Sequence, residues 1–163
     1  MISSFRRIEP NSLPPAAKAT GQYINSILAK IEAVYSEYDE AILLDSRGFV
    51  SEGTGENIFV VKNGVVHTPS TASSILVGIT RDTVFELAKA MGIAIVERDL
   101  VRSDLFLADE VFFTGTAAEI VPIREVDRRV IGEPGPITRA LQERYHAVVR
   151  GEDVRFAHWL ERV

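Results

Sequence analysis

Four short stretches hold the residues that could do chemistry, and a lysine leads them. Lys18 sits in Pro14-Pro15-Ala16-Ala17-Lys18-Ala19-Thr20-Gly21, where small neighbours leave an amine room to meet a ligand. A partly desolvated lysine has its pKa lowered, which frees the amine to form a Schiff base with a carbonyl. The competing reading is a solvated lysine in the first turns of a helix. Gly78-Ile79-Thr80 at a helix start offers free N–H groups, a hydroxyl and the positive end of a helix dipole, a combination that suits phosphate but also serves as a plain cap. Gly115-Thr116-Ala117-Ala118 follows an apolar strand and is a second bend with accessible N–H groups, or simply a tight turn. Glu52, between a strand and the glycine-rich Gly53-Thr54-Gly55-Glu56, either balances a buried cation or faces water.

The elements that must position these residues follow from periodicity and turn chemistry. Ala16 to about Tyr35 reads as a helix, with Tyr23, Ile24, Ile27, Leu28, Ile31, Val34 and Tyr35 as its apolar stripe, so Lys18 and Tyr23 fall in its opening turns. Glu40 to Asp45 reads as a strand, Ser46 to Gly48 as a turn and Phe49 to Ser51 as the returning strand. Asn57 to Lys62, Asn63-Gly64 and Val65 to Thr68 form a hairpin. A helix from about Arg81 to Met91 ends at Gly92 and precedes a strand from Ile93 to Val96. Ser103 to Leu107 is a short capped turn of helix, and Glu110 to Thr114 a strand. Strands of about Ile120 to Val126 and Val130 to Ile131 come next. Gly135-Pro136 opens a long helix through about Val149, and Phe156, Trp159 and Leu160 mark an amphipathic turn that docks on the body. Elements that mix without regular alternation point to a mixed α/β domain with much antiparallel pairing.

Composition narrows the function classes. The 163 residues suit one domain that buries about two-thirds of its unfolded surface. A net charge of −5 leaves no basic footprint for nucleic acid. Cysteine is absent, which removes disulfides and thiolate chemistry. The start has no signal-peptide core and no run reaches membrane-span length, so a cytoplasmic location without membrane contact is expected. His67, His146 and His158 are far apart without ligand spacing, so no metal site is expected. Arg124, Arg128 and Arg129 read as a solvated turn, Glu56 and Asn57 as residues that fix the glycine-rich loop, and Trp159 as a packing anchor.

Taken together, Ala16-Ala17-Lys18-Ala19-Thr20-Gly21-Gln22-Tyr23, Ser51-Glu52-Gly53-Thr54-Gly55-Glu56-Asn57-Ile58-Phe59, Gly78-Ile79-Thr80-Arg81 and Ala108-Asp109-Glu110 through Gly115-Thr116-Ala117-Ala118-Glu119 resemble the class IV aminotransferases, specifically the branched-chain amino acid aminotransferases. The resemblance implies pyridoxal 5'-phosphate as cofactor and a mixed, largely antiparallel sheet or pseudo-barrel with helices. It implies that Lys18 holds the cofactor and moves the proton, and that Glu52 pairs with the pyridine nitrogen. Tyr23 would bond the phenolic oxygen and Leu76 pack on the ring. Ile79, Thr80 and Thr116 would bind the phosphate, and Thr116, Ala117 and Ala118 would meet the substrate carboxylate. The substrates would be leucine, isoleucine or valine and their 2-oxo acids, with 2-oxoglutarate and glutamate.

The same resemblance implies that residues 1–163 are the large cofactor-binding domain alone. A small N-terminal domain carrying further phosphate and substrate ligands would complete the site, in a homodimer or higher homo-oligomer. D-Amino acid aminotransferases and aminodeoxychorismate lyases share the lysine, glutamate and fold, and Gly115-Thr116-Ala117-Ala118 favours the branched-chain group. A domain that binds cofactor or partner without turnover is the reading from another class. Ser70 and Val77 stand where relatives often carry proline, and Arg128 where a turn glycine is common.

Overall fold

The computed structural model describes residues 1–161. Its centre is a five-stranded sheet in the order β5-β4-β3-β6-β7, made of β3 (Asn57–Lys62), β4 (Val65–Thr68), β5 (Ile95–Glu97), β6 (Glu110–Gly115) and β7 (Glu119–Pro122). Successive side chains of β3 point to opposite faces. Ile58 and Val60 enter one apolar cluster, Phe59 and Val61 another. Because both sets are apolar, the sheet is covered on both sides. On the first face lie β1 (Ile2–Arg6), β2 (Ile42–Leu44) and α3 (Arg102–Phe106). On the second lie α2 (Ile79–Ala90) and α4 (Pro136–Val149), where Phe59 and Phe112 stack with centroids 5.0 Å apart.

Turn chemistry behaves as the sequence predicts. Asn63 and Gly64 both take positive φ, 51° and 79°, as a type I′ hairpin between β3 and β4 requires. The run from β4 through α2 to β5 is a parallel crossover, and the remaining pairings of the sheet are antiparallel. The mixed, largely antiparallel expectation therefore holds. Phe156 is buried and packs on Trp159 at 4.5 Å, so the C-terminal turn docks as expected.

Several boundaries move for identifiable reasons. The helix expected from Ala16 starts at Tyr23, as α1 (Tyr23–Tyr35), behind two 3₁₀ turns at Pro15–Ala17 and Thr20–Gln22. Lys18 breaks the helical path with a left-handed backbone, φ 47° and ψ 36°, and Thr20 and Gly21 are weak helix formers. The return over 49–51 runs back beside β2 as expected, with a bridge from Leu44 to Val50 and backbone bonds from Asp45 to Phe49, Ser51 to Leu43 and Leu43 to Glu52, and the Asp45 carboxylate takes the Phe49 N–H in the turn between them. The run from Ile120 to Val126 divides into β7, which ends at Pro122, and β8 (Glu125–Val126), with the Ile123 N–H still bonded to the Val111 carbonyl at 2.8 Å beyond the end of β7. β8 pairs with β9 (Arg129–Val130) through a turn in which Asp127 and Arg128 both have positive φ, 50° and 61°. The second helix starts two residues earlier than expected, which puts Ile79 and Thr80 in its first turn.

The largest correction concerns α1. Its buried side chains are Ser26, Ala29 and Ala33, of which Ala29 and Ala33 bring the helix close to Ala41 and Leu43 while Ser26 meets Arg7. The apolar stripe expected to face the core looks outward instead, with Ile24 63% and Val34 59% exposed.

Candidate active site

The β3 and β6 pairing sets the site. Asn57 pairs with Thr114 at one end of the two strands, so the Gly53–Glu56 loop entering β3 and the Gly115–Ala118 bend leaving β6 emerge side by side. α2 begins against the same end. A Cβ added at Gly78 would stand 2.5 Å from Asn57 Oδ1, and one added at Gly115 would stand 3.3 Å from the Gly55 carbonyl. Glycine is what allows these three segments to approach.

Glu52 lies at the bottom of this junction, 5% exposed. One carboxylate oxygen pairs with Arg7 Nη2 at 2.6 Å. The other accepts hydrogen bonds from Asn57 Nδ2 at 3.1 Å and from the Leu76 N–H at 3.0 Å. Asn57 Nδ2 also donates to the Leu76 carbonyl at 2.8 Å, so both backbone groups of Leu76 are fixed. Burial pushes the Glu52 carboxyl up to about 7, against the Arg7 charge and the Leu76 N–H, which pull it down. The buried cation that Glu52 balances is Arg7, which also donates to Ser26 Oγ at 3.1 Å. Burial also pushes Glu56 up, and the Glu40 charge adds to the effect.

A cavity of about 560 Å³ opens over this carboxylate. Lys18, Tyr23, Glu52, Leu76, Ile79, Thr80, Thr116 and Ala117 all line it. Ala118 does not: Gly115 pairs with Glu119, and residue 118 already belongs to the returning limb of that bend. Lys18 is exposed rather than enclosed among the alanines, and Tyr23 and Ile79 are exposed with it, so the cavity is open along this rim. The left-handed backbone at Lys18 costs about 1 kcal/mol or more for a residue with a Cβ.

The donor set fits pyridoxal phosphate. The N–H groups of Ile79 and Thr80 lie in the first turn of α2, where no intrahelical acceptor exists and no side chain caps them. Thr114 Oγ1, at the cavity floor, is buried without a partner. A carboxylate and an amine face the same space from other sides, and the volume falls within the range of small-molecule pockets. Sequence reasoning missed Arg7 and Thr114. Arg7 sits in an extended lead-in with no periodic signal, and Thr114 looks like any strand threonine until its pairing with Asn57 is known. Among the described residues no group of histidine, aspartate or glutamate side chains could hold a metal ion, and no helix is long and apolar enough to cross a membrane.

Comparison with known proteins agrees with this geometry. A family profile described as amino-transferase class IV matches residues 1–126. The chain is 54% identical, over 98% of its length, to a probable branched-chain-amino-acid aminotransferase of Aquifex aeolicus and covers 52% of that protein. It is 48% identical over its full length to the branched-chain-amino-acid aminotransferase of Escherichia coli K12 and covers 53% of it. Among solved structures, the Thermoproteus uzoniensis branched-chain aminotransferase with norvaline superposes with a TM-score of 0.96 at 48% identity, over 98% of this chain and 54% of that one. The Thermobaculum terrenum enzyme in its pyridoxal-phosphate form gives 0.96 at 47%, over 98% and 53%. The chain thus spans about half the length of the curated relatives it matches. With the matched profile running from β1 through β8, this chain belongs to the class IV aminotransferases.

Proposed function

We propose that the chain is the cofactor-binding large domain of a branched-chain amino acid aminotransferase, with pyridoxal phosphate held at Lys18. The observation that carries this reading is the convergence of Lys18, Glu52 and the α2 N-terminus on one cavity. Identities of 48–54% to branched-chain aminotransferases support the substrate class. When bound, the cofactor supplies an electron-withdrawing ring that lets a proton leave the substrate's Cα.

The chain's own residues account for the rest. Lys18 Nζ would hold the cofactor and would carry a proton to and from the substrate's Cα. Glu52 pairs with the ring nitrogen, and a cation there lowers the carboxyl from its raised position. Ile79 and Thr80 offer N–H groups to the phosphate with the α2 dipole behind them, and Thr116 adds a hydroxyl. Tyr23 bonds the phenolic oxygen and Leu76 packs on the ring, held by Asn57 and Glu52. Ala117 and Ala118 present N–H groups to the substrate carboxylate. The open rim beside Lys18, Tyr23 and Ile79 favours completion of the site by a further domain or a second copy.

Titrating the protein with pyridoxal phosphate tests this directly. A visible absorption band is expected in the wild type and not in Lys18→Ala, and a band that persists in the variant would refute the assignment. In a panel of L-leucine, D-alanine and aminodeoxychorismate, L-leucine is expected to react fastest, with very weak turnover by this chain alone. Preference for either other compound would sink the branched-chain reading.

A further inference from the structure

We propose that Gln22 is the positioning residue for Lys18: its side-chain amide closes the lysine-bearing segment into a loop and so fixes where the amine emerges. This rests on the reading of Lys18 as the cofactor anchor. From Ile8 to Gly21 no residue is buried, and the chain there runs along the rim of the cavity. Gln22 ends that stretch and is 5% exposed. Its Nε2 donates to the Pro14 carbonyl at 2.5 Å and reaches the Leu13 carbonyl at 3.5 Å, so residues 14 and 22 are tied together. Lys18 stands midway between the tied ends, in the left-handed conformation, with its N–H bonded to the Pro15 carbonyl at 3.1 Å.

A lysine has no intrinsic preference for that conformation and holds it only where its surroundings impose it. No core side chain of the segment supplies the constraint, and the two 3₁₀ turns are too short to be stable alone. The Gln22 amide is the side-chain link that remains. It also lines the cavity, so the tether and the amine share one wall. Without it, the loop from Pro14 to Gln22 gains freedom and Lys18 Nζ samples positions away from Glu52.

The test uses covalent capture by the intact protein rather than turnover. The lysine amine and the cofactor aldehyde condense with loss of one water. Borohydride then adds hydride to the carbon while solvent protonates the nitrogen, fixing a secondary amine that peptide mass mapping locates. Wild type is expected to be labelled at Lys18 in preference to Lys30, Lys62 and Lys89. In Gln22→Ala, labelling of Lys18 is expected to fall about tenfold, equivalent to about 1.4 kcal/mol, with an unchanged unfolding midpoint.

Gln22→Glu supplies a pH signature. A protonated glutamic acid can donate to the Pro14 carbonyl and an ionised one cannot, and burial at this position raises a carboxyl above its ordinary value of about 4.3, so the ratio of variant to wild-type labelling should fall between about pH 5 and about pH 8. Equal Lys18 labelling in all three proteins at every pH would overturn the proposal. A loss in Gln22→Ala matched by a lowered unfolding midpoint would overturn it too, by showing a general folding defect. Absence of Lys18 preference in the wild type would instead remove the cofactor reading on which it rests.

Discussion

Replacing Glu52 with glutamine should flatten part of the pH dependence of stability. In the fold this carboxyl is raised from 4.5 to about 7 because burial outweighs the Arg7 charge. A raised carboxyl binds its proton more tightly folded than unfolded, so its stabilising contribution is complete below pH 4.5 and is lost as pH climbs through about 7. At about 1.4 kcal/mol per pH unit, the gap corresponds to about 3 kcal/mol. Glu52→Gln keeps the shape and cannot titrate; its single carbonyl oxygen can accept from Asn57 and Leu76 while its amide nitrogen turns toward Arg7. It leaves Arg7 without a counter-charge, an offset that does not vary with pH over this range.

Urea unfolding of both cofactor-free proteins at closely spaced pH values between about 4 and about 8 isolates the carboxyl together with its coupling to Glu56, because groups that do not interact with it cancel. The stability of wild type relative to the variant is expected to drop by about 3 kcal/mol across that range. A flat difference would mean that the Arg7 pair at 2.6 Å keeps Glu52 ionised throughout, and the argument from burial would be refuted.

Two further outcomes are expected. Arg128→Gly relieves a left-handed residue in the β8–β9 turn and should raise stability by about 0.5–1 kcal/mol in the same urea assay. The outward apolar face of α1 should drive self-association that light scattering detects as concentration rises, and Ile27→Lys, which leaves the buried Ala29 side untouched, should reduce it.

What could be read from the sequence was chemistry carried on local signals. Asn63-Gly64 marked its hairpin, Gly78-Ile79-Thr80 its helix start, and both ended where the physics of turns and caps put them. The cavity draws together residues 18, 52, 80 and 116, whose separate signals were each weak. Arg7 escaped notice because a cation that balances a buried carboxylate across 45 positions leaves no spacing behind. The stripe on α1 was visible as a periodicity, but periodicity says which residues share a face and not what lies opposite. Small Ala29 and Ala33 won the core side because close approach to Ala41 and Leu43 rewards their size. The helix expected from Ala16 breaks at Lys18, whose left-handed backbone no periodicity of apolar residues reveals.

The contact between Gly78 and Asn57 links the variability of two positions 21 residues apart. Any side chain at 78 must displace the Asn57 amide, and with it the hydrogen bonds to Glu52 and Leu76. Position 78 is free to change only together with position 57. A library that randomises the pocket one site at a time would score position 78 as immutable, while a joint library with a smaller residue at 57 would find routes that single substitutions hide.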